Sequence, residues 1–179
     1  MISKAIIIIE GYLASGKSTF ARLLSKAIRI PYIVKDTFKI ALCESVQITT
    51  REEGSRFSAV TFDAMMYVAE RLMETGYPVI IEGNFVPPGM KAVDEAGVIE
   101  SLIRKYSFQS LTYKFMGDTR FLYERYIERE KSPERGDANR DFEEIPFENF
   151  GRYCIFYFKA TPDYFESEAT GMNIDFSRY

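Results

Sequence analysis

The sequence predicts an α/β fold with a mainly parallel sheet. The run at residues 5–9 is continuously apolar, and residues 78–82 are apolar up to a final glutamate; both have the composition of strands that are buried on both faces. Segments with the apolar spacing of helices stand between the strand-like runs, and glycine punctuates several of the junctions. Strands that alternate with helices in this way pair in parallel, with the helices covering the sheet.

Each element can be placed along the chain. Strands are predicted at residues 5–9, 31–34, 78–82, 107–116 and 172–176. Helices are predicted at residues 18–28, 36–43, 55–74, 98–106 and 147–159, with another that begins at Thr119. A polar segment at residues 131–140 contains a proline and a glycine and indicates a mobile loop. The pattern predicts a single domain over residues 1–179.

Composition excludes several classes of protein. The chain of 179 residues is 46% hydrophobic, which is enough apolar material for one domain core. It has no histidine, so Ser–His hydrolases, Cys–His proteases and histidine-ligated metal sites are excluded. The two cysteines, Cys43 and Cys154, are too few for a disulfide framework.

Charge and hydropathy indicate the setting in which the protein works. The net charge of −3 argues against a general nucleic-acid binder, which would be strongly basic. No apolar run approaches the roughly 18 residues that span a membrane, and the N-terminus lacks the features of a signal peptide. We therefore expect a cytoplasmic protein that is a monomer or a homodimer.

The most specific motif is a glycine-rich loop between the first strand and the first helix. Residues 11–18 read Gly-Tyr-Leu-Ala-Ser-Gly-Lys-Ser, a complete G-x-x-x-x-G-K-[ST] phosphate-binding motif. Glycines let successive N–H groups face one anion, and the helix that follows directs its N-terminal dipole to the same place. The predicted nucleotide-binding residues are Gly11, Leu13, Ala14, Ser15, Gly16, Lys17, Ser18 and Thr19.

The chemistry of the motif suggests the nucleotide and the metal. Lys17 can place a positive charge on the β- and γ-phosphates, and the Ser18 hydroxyl can bind Mg²⁺. A guanine-specific Asn-Lys-x-Asp string does not occur in the sequence, so ATP is favoured over GTP.

The sequence resembles the P-loop kinases. Its nearer likenesses are chloramphenicol phosphotransferase, zeta toxins, gluconate and shikimate kinases, and the 5′-kinase domain of polynucleotide kinase. The resemblance rests on residues 11–19, on Asp36, on residues 82–85 and on the arginine-rich residues 125–140. It implies a three-layer P-loop sandwich with a five-stranded parallel sheet of order 2-3-1-4-5, and a lid at about residues 128–142.

Two acidic residues are predicted at the carboxyl edge of the sheet, where ligands of such sheets bind. The resemblance implies that Asp36 orients or deprotonates the acceptor hydroxyl; the alternative is that it only caps a helix. Glu82, at a strand end, is a candidate Mg²⁺ ligand or acceptor contact, with a merely charged strand end as the alternative. Lys35 and Asn84 are candidate acceptor contacts; otherwise they are a surface lysine and a turn residue.

Arginines follow the fourth predicted strand. Arg125 and Arg129 are four residues apart on one face of the predicted helix, and the resemblance implies that they stabilise the transferring phosphoryl group. By the same resemblance, Arg120 and Arg135 contact the nucleotide and Arg140 contacts the acceptor. Interleaved glutamates leave open that these arginines belong to a solvated helix face.

The predicted activity is transfer of the γ-phosphate from ATP, with Mg²⁺, to a hydroxyl of a small-molecule acceptor. A nucleoside, nucleotide or polynucleotide 5′-kinase is an alternative within the same class. A regulatory module that binds ATP without phosphorylating an acceptor is the alternative from another class.

Overall fold

The computed structural model describes residues 4–46, 51–85, 93–131, 144–154, 158 and 165–168. Five strands occur in this part of the chain: β1 (Ala5–Gly11), β2 (Tyr32–Val34), β3 (Val79–Glu82), β4 (Gln109–Met116) and β5 (Phe165–Glu168). The helices are α1 (Lys17–Ile28), α2 (Lys35–Ser45), α3 (Arg51–Arg56), α4 (Ser58–Glu74), α5 (Glu95–Tyr106), α6 (Thr119–Glu130) and α7 (Phe147–Phe150). A 3₁₀ turn, Gly151–Tyr153, follows α7 directly.

The sheet is parallel throughout its described strands. Strands β2, β3, β1 and β4 lie side by side in the predicted order 2-3-1-4, and the four-residue β5 pairs with β4 at the outer edge. The central strand β1 is buried along its whole length, as the apolar run at residues 5–9 predicts. The carboxyl ends of β1, β2 and β3 therefore share one edge, next to the phosphate-binding motif.

Helices cover both faces of the sheet, and each face has its own apolar core. On one face Ile7 and Ile9 of β1 pack with Phe20 and Leu24 of α1. On the other face lie Ile6 and Ile8 with side chains from α4 and α5. Because successive strand residues point to opposite faces, this alternation fixes which strand-end residues face α1 and which face α4.

Most predicted elements are present with shifted ends. The long helix predicted at residues 55–74 is divided at Phe57 into α3 and α4. Helix α5 begins at Glu95, three residues before the predicted start, because the Asp94 side chain accepts a hydrogen bond from the Gly97 N–H at 2.9 Å and caps it.

The helix predicted at residues 147–159 is wrong in its length. Helical structure ends at Tyr153, whose carbonyl oxygen bonds outside the segment, to the Leu13 N–H, instead of continuing a helical ladder. The strand predicted at residues 172–176 lies outside the described residues, as does the lid beyond Lys131 up to residue 143. In the described residues, no helix is both long and apolar enough to cross a membrane.

Candidate active site

The loop that joins β1 to α1 has backbone angles that bring its amides together. Gly11 has φ 138°, and a Cβ there would lie 2.1 Å from the Phe115 carbonyl oxygen of β4. Gly16 (φ 96°) precedes α1, and Ala14 is also left-handed, with φ 60°. Successive amides in such conformations form a concavity suited to an anion, and the start of α1 adds its dipole. This local geometry fits the phosphates of a nucleotide.

Lys17 lies against this loop and is 8% exposed. Its ammonium group donates to the Tyr12 carbonyl oxygen at 2.7 Å, and the Ser15 hydroxyl donates to the same oxygen at 2.6 Å. Burial lowers the pKa of Lys17, an effect opposed by the negative charges of Glu82 and Asp36. A bound phosphate would add negative charge beside the amine and so favour its charged form.

Ser18 and Glu82 form the second polar contact of the site. The Ser18 hydroxyl donates to a Glu82 carboxylate oxygen at 2.9 Å. Glu82 is 4% exposed, and its burial raises its pKa to about 7, with the charge of Asp36 acting in the same direction. A hydroxyl beside a carboxylate fits Mg²⁺, which takes few protein oxygens and completes its shell with phosphate and water. These two residues could hold the metal.

Asp36 is an exposed residue in the first turn of α2. The N-cap of that helix is Val34 and makes no side-chain capping bond, so the alternative that Asp36 is the N-cap is wrong. The charge of Asp36 raises the pKa values of both Lys17 and Glu82, which places it within electrostatic reach of the phosphate loop. The structure therefore brings Lys17, Ser18, Glu82 and Asp36 to one edge of the sheet.

Lys35 is not the surface lysine that the sequence left as an alternative. It is 6% exposed, and its ammonium group lies 2.6 Å from both carboxylate oxygens of Glu95, itself 1% exposed. Whether Lys35 also contacts an acceptor stays a prediction.

Asn84 and Leu13 meet the same backbone carbonyl. The Tyr153 carbonyl oxygen accepts from the Leu13 N–H at 3.3 Å and, more weakly, from the Asn84 side-chain amide at 3.5 Å. The side-chain oxygen of Asn84 is buried and has no hydrogen-bond partner among the described residues. The turn after α7 thus joins the phosphate loop to the end of β3.

The arginines of α6 are placed differently from one another. The charge of Arg129 lowers the pKa values of both Lys17 and Glu82, so its guanidinium is near the phosphate loop. Arg125 stacks over the Phe121 ring at 5.9 Å, and Arg120 is highly exposed, with a distant ion pair to Glu124 at 3.8 Å. Arg135 and Arg140 lie outside the described residues.

Sequence reasoning missed two residues near the site. Tyr153 acts through its backbone carbonyl, which no side-chain pattern reveals. Glu95 follows Asp94, the residue that caps α5. An acidic residue in the first turn of a helix is ordinarily explained by its favourable interaction with the helix dipole. Nothing in that context indicates that Glu95 is buried against Lys35.

Several solved structures of other proteins are similar to this chain along most of its length. A candidate kinase from Chloroflexus aurantiacus superposes with a TM-score of 0.80 at 22% identity, covering 97% of this chain and 93% of that one. A gluconokinase from Sinorhizobium meliloti gives 0.55 at 16% identity, covering 94% and 85%. The PezAT chromosomal toxin–antitoxin system of Streptococcus pneumoniae gives 0.56 at 17% identity, covering 84% and 61%.

The fold is that of the P-loop kinases. The resemblance read from residues 11–19 and from the strand ends is thereby confirmed at the level of the fold. No protein-family model matches the chain, and no curated protein does.

Proposed function

We propose that the protein is an ATP- and Mg²⁺-dependent kinase that transfers the γ-phosphate to a hydroxyl of a small-molecule acceptor. The observation that carries this proposal is the position of Asp36. It is an exposed carboxylate within electrostatic reach of both Lys17 and Glu82. A module that only binds ATP needs the loop and the metal ligands, but it has no use for a further carboxylate at the phosphate end.

The phosphate loop would hold ATP. Phosphate oxygens would accept hydrogen bonds from the amides of Ala14, Gly16, Ser18 and Thr19. The Leu13 and Ser15 amides donate to the Tyr153 and Tyr12 carbonyls and would contact phosphate only after leaving them. Lys17 would likewise move from the Tyr12 carbonyl to the phosphates. Ser18 and Glu82 would hold Mg²⁺, which when bound neutralises charge on the phosphate oxygens.

Asp36 would act as the general base. As the acceptor oxygen bonds to the γ-phosphorus and ADP departs with the electron pair of the broken bond, the Asp36 carboxylate takes the hydroxyl proton. Arg129, already near Lys17, would stabilise charge on the transferring group. Lys35, Asn84 and Arg140 at the acceptor, and Arg125 and Arg135 at the phosphates, remain predictions. For Arg120, its high exposure and its ion pair with Glu124 favour the alternative of a solvated helix face over a nucleotide contact.

The decisive experiment is an acceptor screen. The wild-type protein is incubated with Mg²⁺, radiolabelled ATP and pools of hydroxyl compounds, including sugars, nucleosides and 5′-hydroxyl oligonucleotides, beside a reaction without acceptor. We expect label to move to a small molecule, and the variant Asp36→Asn to bind ATP normally while transferring about 10²–10⁴-fold more slowly. Asp63→Asn, an exposed acid on α4, is the matched control and should be unaffected.

Each other outcome identifies a different function. Transfer confined to nucleosides or oligonucleotides would support the 5′-kinase alternative. Tight ATP binding with no transfer to any pool would support the regulatory module and overturn the proposal. Transfer by Asp36→Asn within about threefold of wild type would remove Asp36 from the mechanism.

A further inference from the structure

A buried ion pair is formed by Lys35, the residue that precedes Asp36 in the chain. The Lys35 ammonium group is 2.6 Å from each carboxylate oxygen of Glu95, and the two residues are 6% and 1% exposed. The same ammonium lies 5.5 Å from the centre of the Phe62 ring and 6.0 Å from that of Phe85. Such an apolar setting makes the pair strong electrostatically and costly to desolvate.

The pair joins two helix starts that are far apart in the sequence. Lys35 is the first residue of α2, and Glu95 is the first residue of α5. Helix α5 is fixed locally, because Asp94 caps it, whereas α2 begins at Val34 with no side-chain cap. Glu95 therefore stands on a capped helix, and through Lys35 it holds the start of a helix that has no side-chain cap of its own.

The end of β3 is shaped around the same lysine. A Cβ added to Gly83 would lie 3.1 Å from Lys35 Cβ and 3.2 Å from Lys35 Cδ, closer than nearly all ordinary contacts. A side chain at this position would thus press on the stem of Lys35, which runs alongside the turn after Glu82. Lys35 touches the strand end that bears Glu82 and also precedes Asp36 in the chain.

The pair is poorly suited to adding stability alone. Replacing a buried ion pair by apolar residues of similar volume is often neutral or stabilising, because the desolvation cost disappears. What an ion pair does supply is a fixed geometry, set by two short contacts to one carboxylate. The residue whose place it fixes most directly is the next one, Asp36.

We propose that Lys35 and Glu95 are positioning residues, whose pairing holds the first turn of α2 so that the Asp36 carboxylate faces the phosphate loop. This inference rests on the proposed function, since it gives Asp36 a catalytic task. The pair acts through Asp36 and need not touch the acceptor. Misplacing a catalytic group by about 1 Å can cost on the order of 10²-fold in rate.

The test compares the double variant Lys35→Met/Glu95→Leu with wild type and with Asp36→Asn. Both new side chains are apolar and of similar volume, so neither charge is left alone in the core. With the acceptor returned by the screen and radiolabelled ATP, we expect kcat to fall about 10²-fold. ATP affinity by calorimetry and the circular dichroism spectrum should stay as in wild type.

The same double change is then made in the Asp36→Asn background, and kcat is measured in single turnovers. If the pair works through Asp36, the further loss there should be less than about threefold. A merely structural role would lower kcat in both backgrounds. The matched control is Lys105→Met/Glu70→Leu, which removes an ion pair of 2.8 Å at the surface with the same substitutions and should leave kcat unchanged.

Two results would overturn the inference while leaving the proposed function intact. One is a double variant with kcat within threefold of wild type, when Asp36→Asn alone is slow. The other is an equal loss in the two backgrounds. If wild type transfers phosphate to no acceptor at all, the proposed function fails first and the inference falls with it.

Discussion

Ser18 donates its hydroxyl hydrogen to a carboxylate oxygen of Glu82 at 2.9 Å, across 64 positions of sequence. The bond joins the first turn of α1 to the last residue of β3 and brings the loop motif together with the strand-end acid. Burial of Glu82 raises its pKa to about 7, although the hydrogen bond from Ser18 acts in the opposite direction. The stability of the protein should therefore depend on pH in a way that can be traced to one residue.

The first prediction concerns Glu82→Gln without ATP or Mg²⁺. The pKa of Glu82 is raised from its usual value of 4.5 to about 7, so the folded state holds a proton that the unfolded state releases between those values. The stabilisation from that proton is complete below pH 4.5 and is lost as the pH rises through about 7. Glutamine keeps a neutral side chain at every pH.

Wild type should therefore lose stability between pH 5 and pH 8 while Glu82→Gln does not. The difference in melting temperature, variant minus wild type, should become more positive over this range by on the order of 5 °C. Differential scanning calorimetry at several pH values measures it. Glu148→Gln, an exposed acid of α7, serves as the control and should show no such trend. A difference that is flat with pH would show that Glu82 does not titrate near neutrality.

The second prediction concerns Gly11→Ala at the start of the phosphate loop. The new Cβ would lie 2.1 Å from the Phe115 carbonyl oxygen and 2.6 Å from its backbone nitrogen. Neither atom can move without separating β1 from β4, since Gly11 and Phe115 are register partners. The free energy of unfolding should fall by about 3 kcal/mol or more, from overpacking and an unfavourable φ together.

Alanine variants of two other glycines distinguish the effect of overpacking from the effect of the unfavourable φ. Gly76 has φ 80° but nothing within 4 Å of an added Cβ, so Gly76→Ala carries the conformational cost alone, about 1 kcal/mol. Gly151 has open space and an ordinary φ of −55°, so Gly151→Ala should be close to neutral. Urea denaturation gives all three values. Equal losses at positions 11 and 76 would contradict the steric explanation.

Local pattern predicted much of this fold, and the reason is visible in β1 and α1. Strand burial and helix spacing are properties of neighbouring residues, so the elements and the motif at residues 11–18 could be found from sequence. Lys35 shows where such reasoning stops. Its partner Glu95 is 60 positions away, and a lysine followed by an aspartate is ordinary at a surface. Only the three-dimensional arrangement reveals that the pair is buried.

The turn after α7 shows that contacts between backbone groups are also not predictable from local sequence. Residues 147–159 have aromatic spacing typical of a helix, yet helical structure ends at Tyr153 because its carbonyl bonds to Leu13. That contact is made by atoms common to every residue. Side-chain pattern therefore predicted a helix where a tertiary backbone contact prevails.

The third prediction concerns Lys17→Ala. Lys17 is the only lysine or arginine within the motif at residues 11–18, and removing it takes away a charge-assisted contact to several phosphate oxygens. The dissociation constant for ATP should rise at least about tenfold, as expected for the loss of one charged hydrogen bond. Titration calorimetry measures it, with Lys26→Ala, exposed at the far end of α1, as the control. An unchanged ATP affinity would contradict the proposal that residues 11–18 bind the phosphates.

The last prediction concerns Arg129, and it separates a catalytic arginine from a surface one. Its charge reaches Lys17 and Glu82, whereas Arg120 on the same helix is highly exposed and, among the described residues, pairs with Glu124 at 3.8 Å. An arginine that meets the transferring group matters more in the transition state than in bound ATP, so Arg129→Ala should lower kcat by on the order of 10³. ATP affinity should change far less.

Arg120→Ala removes a surface ion pair worth about 0–1 kcal/mol and should leave kcat within about twofold of wild type. Steady-state transfer assays with calorimetry on both variants measure the contrast, and Arg125→Ala shows whether the arginine stacked on Phe121 also acts. If Arg129→Ala turns over like Arg120→Ala, α6 presents a solvated face and the transferring phosphate is stabilised by Lys17 and the loop amides.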